Sequence, residues 1–226
     1  MSALYVYALL GDGPPPDPGA GLGAEPLRVL RVGDLGAAVG EMAERPALSE
    51  AALRAHDAVV RRLAGAVDAI LPVRFGALLP EGALTDALAT RAVELRRALA
   101  LVAGREQMTL RVFGETAAPE APAVPSGEGA GPGARYLDER RRQWRRAQDT
   151  PEIAPLRPLL AELVRAERVQ RHDAAPLLAS VYHLVDRGAA AAYLAAVARG
   201  AAALAPVRVT AAGPWPPYAF APEALT

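Results

Sequence analysis

The sequence predicts an α+β protein with two modules, each a β-sheet packed with helices. Two observations support this. Short segments that are continuously apolar, or that alternate apolar and polar residues, are interleaved with segments whose apolar residues recur at helical spacing. A Pro/Gly-rich stretch with almost nothing to bury then interrupts the chain. We therefore expect an N-terminal α+β domain at 1–114, a linker or long loop at 115–134, and a C-terminal α+β domain at 135–226.

Three strands are predicted near the start of the first domain. The run from Leu4 to Leu10 is continuously apolar and ends at a Gly/Pro-rich stretch, which is typical of a buried strand followed by a loop. The segments 27–32 and 35–39 are short strands, and Gly33 and Asp34 form the turn between them.

Two helices and two further strands complete this domain. Ser49 is a candidate N-cap for a helix with His56 on its apolar face. The alternation across 71–79 predicts one strand, and the stripe across 84–99 predicts a second helix that ends at Gly104. Residues 107–113 alternate again and form a strand that could belong to either domain.

The second domain is predicted as helix, strand, helix, strand. Apolar residues across 156–164 have helical spacing, 177–185 is apolar on both faces, and 188–204 is an alanine-rich helix with Leu194 and Val197 inward. A last strand covers 205–211. Across both domains we expect these residues to be buried: Leu63, Val67, Leu71, Val73, Phe75, Leu110, Leu163, Val181, Leu184 and Val197.

Composition excludes several classes of protein. The 226 residues are 52% hydrophobic and 22% charged, as in soluble globular proteins, and formal net charge is zero. No global field therefore recruits nucleic acid or an anionic membrane. The chain contains no cysteine and no lysine, which excludes disulfides, thiolate catalysis, Walker loops and Schiff-base chemistry. With neither a secretory signal nor a spanning segment recognisable, we expect a cytoplasmic protein.

No catalytic, cofactor-binding or metal-binding residues are predicted, and we expect no enzyme. The dipeptides beginning at His56 and His172 resemble metal-phosphohydrolase ligands, but such sites need further His and Asp residues, and the chain has three histidines. Ser180 and His183 are three residues apart on a strand and so face opposite sides. The glycines of 19–24 match a dinucleotide fingerprint but precede a strand instead of a helix.

A cluster of arginines supports an alternative function. Arg135, Arg140, Arg141, Arg142, Arg145 and Arg146 are interleaved with Tyr136 and Trp144. Aromatic rings among arginines could stack on single-stranded nucleic acid. Interspersed acidic residues and the neutral overall charge favour a solvated helix that packs Trp144 inward, so we expect no nucleic acid among the partners.

The most informative segment is 212–220, which we call the strap. It contains three prolines and the rings of Trp215, Tyr218 and Phe220. Proline fixes φ and extends the preceding residue, so the strap is predicted to be stiff and extended. It either caps the core of its own chain or binds a partner. We expect its rings to pack mainly against the second domain, with part of the strap at the surface.

The strap string GPWPPYAF resembles the C-terminal signature of the gas vesicle protein GvpL/GvpF family. Residues 4–8 are similar to the family's N-terminal strand, and 56–60 with 70–76 are similar to its central helix-then-strand signature. Leu184 and Val185 also fit, whereas His183 stands where a more apolar residue is expected. The resemblance spans nearly the whole chain except the Pro/Gly-rich stretch.

The resemblance implies a ferredoxin-like C-terminal domain, which the short spacing of its elements also favours. It further implies a minor component or assembly factor of the gas vesicle. Such a protein would bind the small hydrophobic shell protein, limit its aggregation, support vesicle nucleation and contact other gas vesicle accessory proteins. No cofactor and no membrane partner are expected. The candidate partner-binding or structural residues are Trp215, Tyr218 and Phe220.

Overall fold

The computed structural model describes residues 3–11, 17–115 and 150–222. The predicted linker at 115–134 therefore lies outside the described residues, apart from its first residue. The Arg135–Arg146 cluster also lies outside them. The chain forms two compact units: Met1–Gln107 with Pro214–Thr226, and Met108–Gly213. This division differs from the predicted one at both ends of the second domain, because the strap from Pro214 onward belongs to the first unit and nearly all of the strand predicted at 107–113 belongs to the second.

A five-stranded sheet forms the centre of the first unit. Its strand order is β2-β3-β1-β4, and β5 also pairs with β1. β1 is central and antiparallel to its neighbours, which agrees with its continuous apolar sequence, since a strand covered on both faces has no polar side. The strands are β1 (Ala3–Leu10), β2 (Leu27–Val32), β3 (Leu35–Met42), β4 (Ile70–Pro72) and β5 (Leu78–Leu79).

Three helices pack on this sheet: α1 (Glu50–Ala66), α2 (Glu81–Thr90) and α3 (Ala92–Val102). The predicted cap is confirmed, because the Ser49 hydroxyl oxygen accepts a hydrogen bond from the Ala52 amide at 3.1 Å. The prediction of one helix across 84–99 is wrong. Arg91, with ψ of 14°, interrupts it, while the amide of Leu95 still bonds the carbonyl of Arg91 at 2.9 Å. One buried stripe therefore continues across the break: Leu84, Leu88, Leu95 and Leu99.

The single strand predicted at 71–79 is also wrong. β4 ends at Pro72, and the chain then bows through a turn in which Gly76 has φ of 92°. Glycine adopts this left-handed conformation without the clash that a Cβ atom causes. Phe75, in the turn, is half-buried rather than fully inaccessible as expected, and contacts the rings of His56 and Tyr5.

A four-stranded sheet forms the second unit, with the order β7-β8-β6-β9. β7 and β8 are antiparallel. Its strands are β6 (Arg105–Phe113), β7 (Val164–Arg171), β8 (Leu177–Asp186) and β9 (Arg208–Trp215). Its helices are α4 (Arg157–Leu160) and α5 (Ala190–Gly200), each joined to a 3₁₀ turn, Pro151–Leu156 before α4 and Ala201–Leu204 after α5.

Two predictions for this unit need correction. The leucine stripe across 156–164 predicted a helix, but the helix ends at Leu160 and Val164 begins β7, because pairing with β8 outweighs the local pattern. Leu194 was expected inward but is 38% exposed, since α5 instead turns Tyr193, Ala196 and Val197 to the core.

The predicted α+β class, two sheets each packed with helices, is confirmed. The ferredoxin-like arrangement of the second unit stays a prediction, with which the observed order of strands and helices is compatible. Among residues 3–11, 17–115 and 150–222, no helix is both long enough and apolar enough to cross a membrane.

Candidate partner-binding site

The strap begins as the end of β9. β9 runs through Pro214 to Trp215, four residues beyond the predicted strand. Proline is tolerated here because β9 is an edge strand of its sheet, where a missing amide donor costs no ladder bond. After Pro216 and Pro217 the chain closes into a 3₁₀ turn, Tyr218–Phe220, in which the Phe220 amide bonds the Pro217 carbonyl at 3.0 Å.

The three predicted rings differ in burial. Phe220 is 1% exposed and Tyr218 is half-buried against the core of the first unit, whereas 37% of Trp215 remains exposed. The expectation that these rings pack mainly against the second domain is wrong, because the part of the strap that carries them, from Pro214 onward, belongs to the first unit and its 3₁₀ turn packs against β4. The expectation that part of the strap stays at the surface is confirmed by Trp215.

A polar cluster on α1 holds the exposed ring in place. The Arg61 guanidinium carbon lies 4.5 Å from the centroid of the Trp215 ring, and Arg61 Nε donates to Asp57 Oδ2 at 2.6 Å. Burial, followed by the charge of the same carboxylate, raises the pKa of Tyr218. Cation–π stacking on an arginine that is fixed by Asp57 therefore restrains Trp215, while part of the ring stays exposed to solvent.

The backbone of the strap is also tied to the first unit. The amide of Ala219 donates to Gln107 Oε1 at 2.9 Å, and Gln107 is 4% exposed. A buried amide side chain is stable only where its hydrogen bonds are satisfied, so this contact fixes the position of the turn.

Beneath the strap, His56 joins three separate segments. Its Nε2–H donates to the Val73 carbonyl at 3.0 Å, which leaves Nδ1 to accept from the Tyr5 hydroxyl at 3.0 Å. The Tyr5 oxygen in turn accepts the Gly76 amide at 3.0 Å. His56 is 3% exposed, and burial lowers its pKa, so the neutral ring predominates near neutral pH.

The prediction of a histidine packed in the core is thus confirmed for His56. The network also shows why the four segments singled out in the sequence occur together: residues 4–8, 56–60, 70–76 and the strap meet in the first unit. His56 bonds the first and third of these segments, and Asp57 next to it bonds Arg61, which stacks on the Trp215 ring of the strap.

Sequence reasoning missed one contact in the second unit. Ser180 was weighed against His183, but its hydroxyl lies 3.0 Å from His172 Nε2. The pair forms because β7 and β8 are a hairpin, and β7 was not predicted. Ser180 is 5% exposed, which limits access of any substrate to its oxygen.

The glycine-rich segment 19–24 uses its polar groups internally. The Leu22 amide donates to the Tyr7 hydroxyl oxygen at 2.9 Å, and Glu25 accepts from that hydroxyl and from the Gly23 amide. Among the residues that the structure describes, no three His, Asp or Glu side chains are grouped to hold a metal ion.

Comparison with known proteins agrees with this architecture. Residues 3–222 match the family model described as gas vesicle synthesis protein GvpL/GvpF. The chain is 33% identical to gas vesicle protein L from Streptomyces sp. (strain CB03234) over a 257-residue alignment that covers 96% of this chain and 92% of that protein.

Two crystal structures share the fold. The gas vesicle protein GvpF of Anabaena sp. PCC7120 superposes with a TM-score of 0.71 at 17% identity, covering 98% of this chain and 97% of that one. GvpF of Microcystis aeruginosa superposes with a TM-score of 0.69 at 15% identity, covering 98% and 100%. Because the family model matches almost the whole chain and a relative that is 33% identical is covered over 92% of its length, the chain belongs to the GvpL/GvpF family of gas vesicle proteins.

Proposed function

We propose that this protein is a non-catalytic assembly factor or minor structural component of the gas vesicle that binds the hydrophobic shell protein through Trp215. The observation that supports this most directly is the state of that ring. It is more than a third exposed, yet the Arg61 guanidinium stacks on one face of it and is itself bonded to Asp57.

A ring in this state has the properties of an interface anchor. Aromatic anchors contribute most to binding when they are rigid before the partner arrives, because little conformational entropy is then lost. Tryptophan also combines a large apolar surface with one N–H donor. Phe220 and Tyr218 have a different role in this proposal: they hold the strap, and therefore Trp215, in position.

The proposed partner needs such a surface. A subunit with a large apolar face aggregates unless another protein covers that face or its open strand edge. Binding through Trp215 would keep the shell protein available for incorporation and so support nucleation of the vesicle. In this role the protein acts in the cytoplasm and at the gas vesicle, and other gas vesicle accessory proteins are further candidate partners.

The proposal is tested by co-expressing the chain with the shell protein of the same organism and measuring co-purification and shell-protein solubility together. We expect Trp215→Ala to weaken binding by about 2 kcal/mol, roughly 30-fold, with little change in thermal stability. Leu48→Ala, which removes another exposed apolar side chain of the first unit, is the matched control and should bind normally. Equal binding by both variants and the wild type would exclude Trp215 as the anchor.

The nucleic-acid alternative stays a prediction, since its arginine cluster lies outside the described residues. It is distinguished in the same preparation by adding single-stranded DNA. Binding that falls steeply as salt rises would favour the alternative, because phosphate contacts release counterions. Binding of the shell protein through an apolar contact should be nearly independent of salt.

A further inference from the structure

The second unit contains a cavity that the proposed function does not use. Its volume is about 210 Å³. An apolar cavity of about 150 Å³ is enough to hold benzene, so by proportion this one admits roughly eight non-hydrogen atoms. Residues of the helical segment 151–161 and of strands β7 and β8 line it: Ile153, Arg157, Leu160, Ala161, Val164, Glu167 and His183.

One wall of the cavity is apolar. Ile153 is 1% exposed and Leu160 is 3% exposed, while Val164 is partly buried against the same core. Ala161 is exposed at the surface end and is the smallest lining side chain, so it leaves the cavity open toward solvent. Such walls favour an occupant with a hydrocarbon body.

The acidic group of the cavity is already engaged. Glu167 Oε2 accepts from His183 Nε2 at 2.8 Å, and Nδ1 of the same ring accepts from the Tyr193 hydroxyl at 2.7 Å. The hydrogen bond from His183 is the main reason that the pKa of Glu167 is lowered. The carboxylate therefore stays ionised and is compensated from within the protein, so it has little to gain from a cationic ligand.

The basic group is only loosely engaged. Arg157 Nη1 lies 3.3 Å from Glu167 Oε1 and Nη2 lies 3.3 Å from Thr150 Oγ1, both longer than most N–H···O hydrogen bonds, which measure about 2.7–3.2 Å. A guanidinium group has five N–H donors in a planar fork that matches a carboxylate. The Arg157 side chain is 46% exposed, so an incoming anion can reach it.

We propose that this cavity binds a small carboxylate with an apolar body of about five carbons. Arg157 takes the carboxylate with two N–H donors and gives up its long contact to Glu167, which keeps its bond to His183. The hydrocarbon body lies against Ile153, Leu160 and Val164. This inference does not depend on the proposed role of Trp215, which belongs to the other unit.

Hexanoate is a suitable probe, with hexanamide and acetate as controls for the charge and for the hydrocarbon body. We expect saturable hexanoate binding to the full chain, measured by ligand-observed NMR and calorimetry, with a Kd on the order of 1 mM for so small a ligand. Hexanamide and acetate should bind at least about tenfold more weakly. Equal binding of hexanoate and hexanamide, or no saturable hexanoate binding well above that concentration, would overturn the proposal.

Two matched pairs of variants locate the site. Arg157→Gln should lower hexanoate affinity by about tenfold or more. Arg165→Gln, which removes an arginine of β7 from a surface ion pair with Asp186, should leave it unchanged. Ala161→Trp should block the mouth, whereas Ala154→Trp places the same ring on an exposed position of the preceding turn that does not line the cavity.

The exposed positions of these four substitutions keep the test independent of folding, which circular dichroism and thermal unfolding would verify. If Arg157→Gln binds hexanoate as well as Arg165→Gln does, the arginine is not the carboxylate contact. If Ala161→Trp binds as well as Ala154→Trp, the ligand does not enter the cavity. Either result overturns the proposal.

Discussion

Replacing Phe220 by alanine tests whether the strap holds the first unit together. The ring is 1% exposed within a 3₁₀ turn that packs against β4. Removing a fully buried phenylalanine costs the transfer free energy of the ring plus that of the cavity left behind, about 3–5 kcal/mol. Since natural domains have about 5–15 kcal/mol of stability in total, the loss should be a large part of the stability of this unit.

The chain offers a local optical probe for this measurement. It contains two tryptophans, so Trp144→Phe leaves Trp215, the neighbour of the turn, as the only one. Urea unfolding followed by Trp215 fluorescence then reports on the surroundings of the strap. In this background Phe220→Ala should lower the urea midpoint strongly. Val93→Ala, at a side chain that is 61% exposed, should change the free energy of unfolding by less than about 0.5 kcal/mol.

A loss below about 1 kcal/mol for Phe220→Ala would refute the reasoning, because the turn would then be able to collapse or detach without affecting the unit. In that case the strap could not be the support that holds Trp215 for a partner. If Phe220→Ala loses much stability while Trp215→Ala still binds the shell protein normally, the strap has a structural role alone.

Two further predictions concern the network beneath the strap. Burial lowers the pKa of His56 in the folded protein below the ordinary value of 6.5. As the pH falls, the unfolded chain therefore takes up a proton at this residue before the folded protein does. The contribution of His56 to stability should be complete above pH 6.5 and should decrease as the pH drops below it. Urea midpoints measured across that range should show the decline, and an unchanged decline in His56→Gln would contradict this assignment. Gly76→Ala should cost about 1–2 kcal/mol because φ is 92° there, whereas Gly82→Ala in α2, where a Cβ meets no atom, should be neutral or stabilising in thermal unfolding. A neutral Gly76→Ala would show that the turn is unstrained.

Local sequence patterns were sufficient to predict two kinds of element: those that are buried along their whole length, and those in which a single residue marks the end. The apolar run of β1 predicts a strand that is covered on both faces, because water on either face would contact apolar side chains. Ser49 caps α1 through an atom of its own side chain, and Gly104 ends α3 with φ of 65°. The strap string and three other segments were likewise enough to indicate the family.

Tertiary structure alone decided which segments meet. The leucines before Val164 have helical spacing, yet β7 forms there because β8 provides a pairing edge, and that hairpin brings His172 to Ser180. The three prolines predict a stiff strap but do not indicate which core it packs against, because proline restricts only the local backbone conformation. The contact of Arg61 with Trp215 joins residues that are far apart in the sequence. No local pattern encodes such a contact, because it exists only after both segments have packed on the first unit.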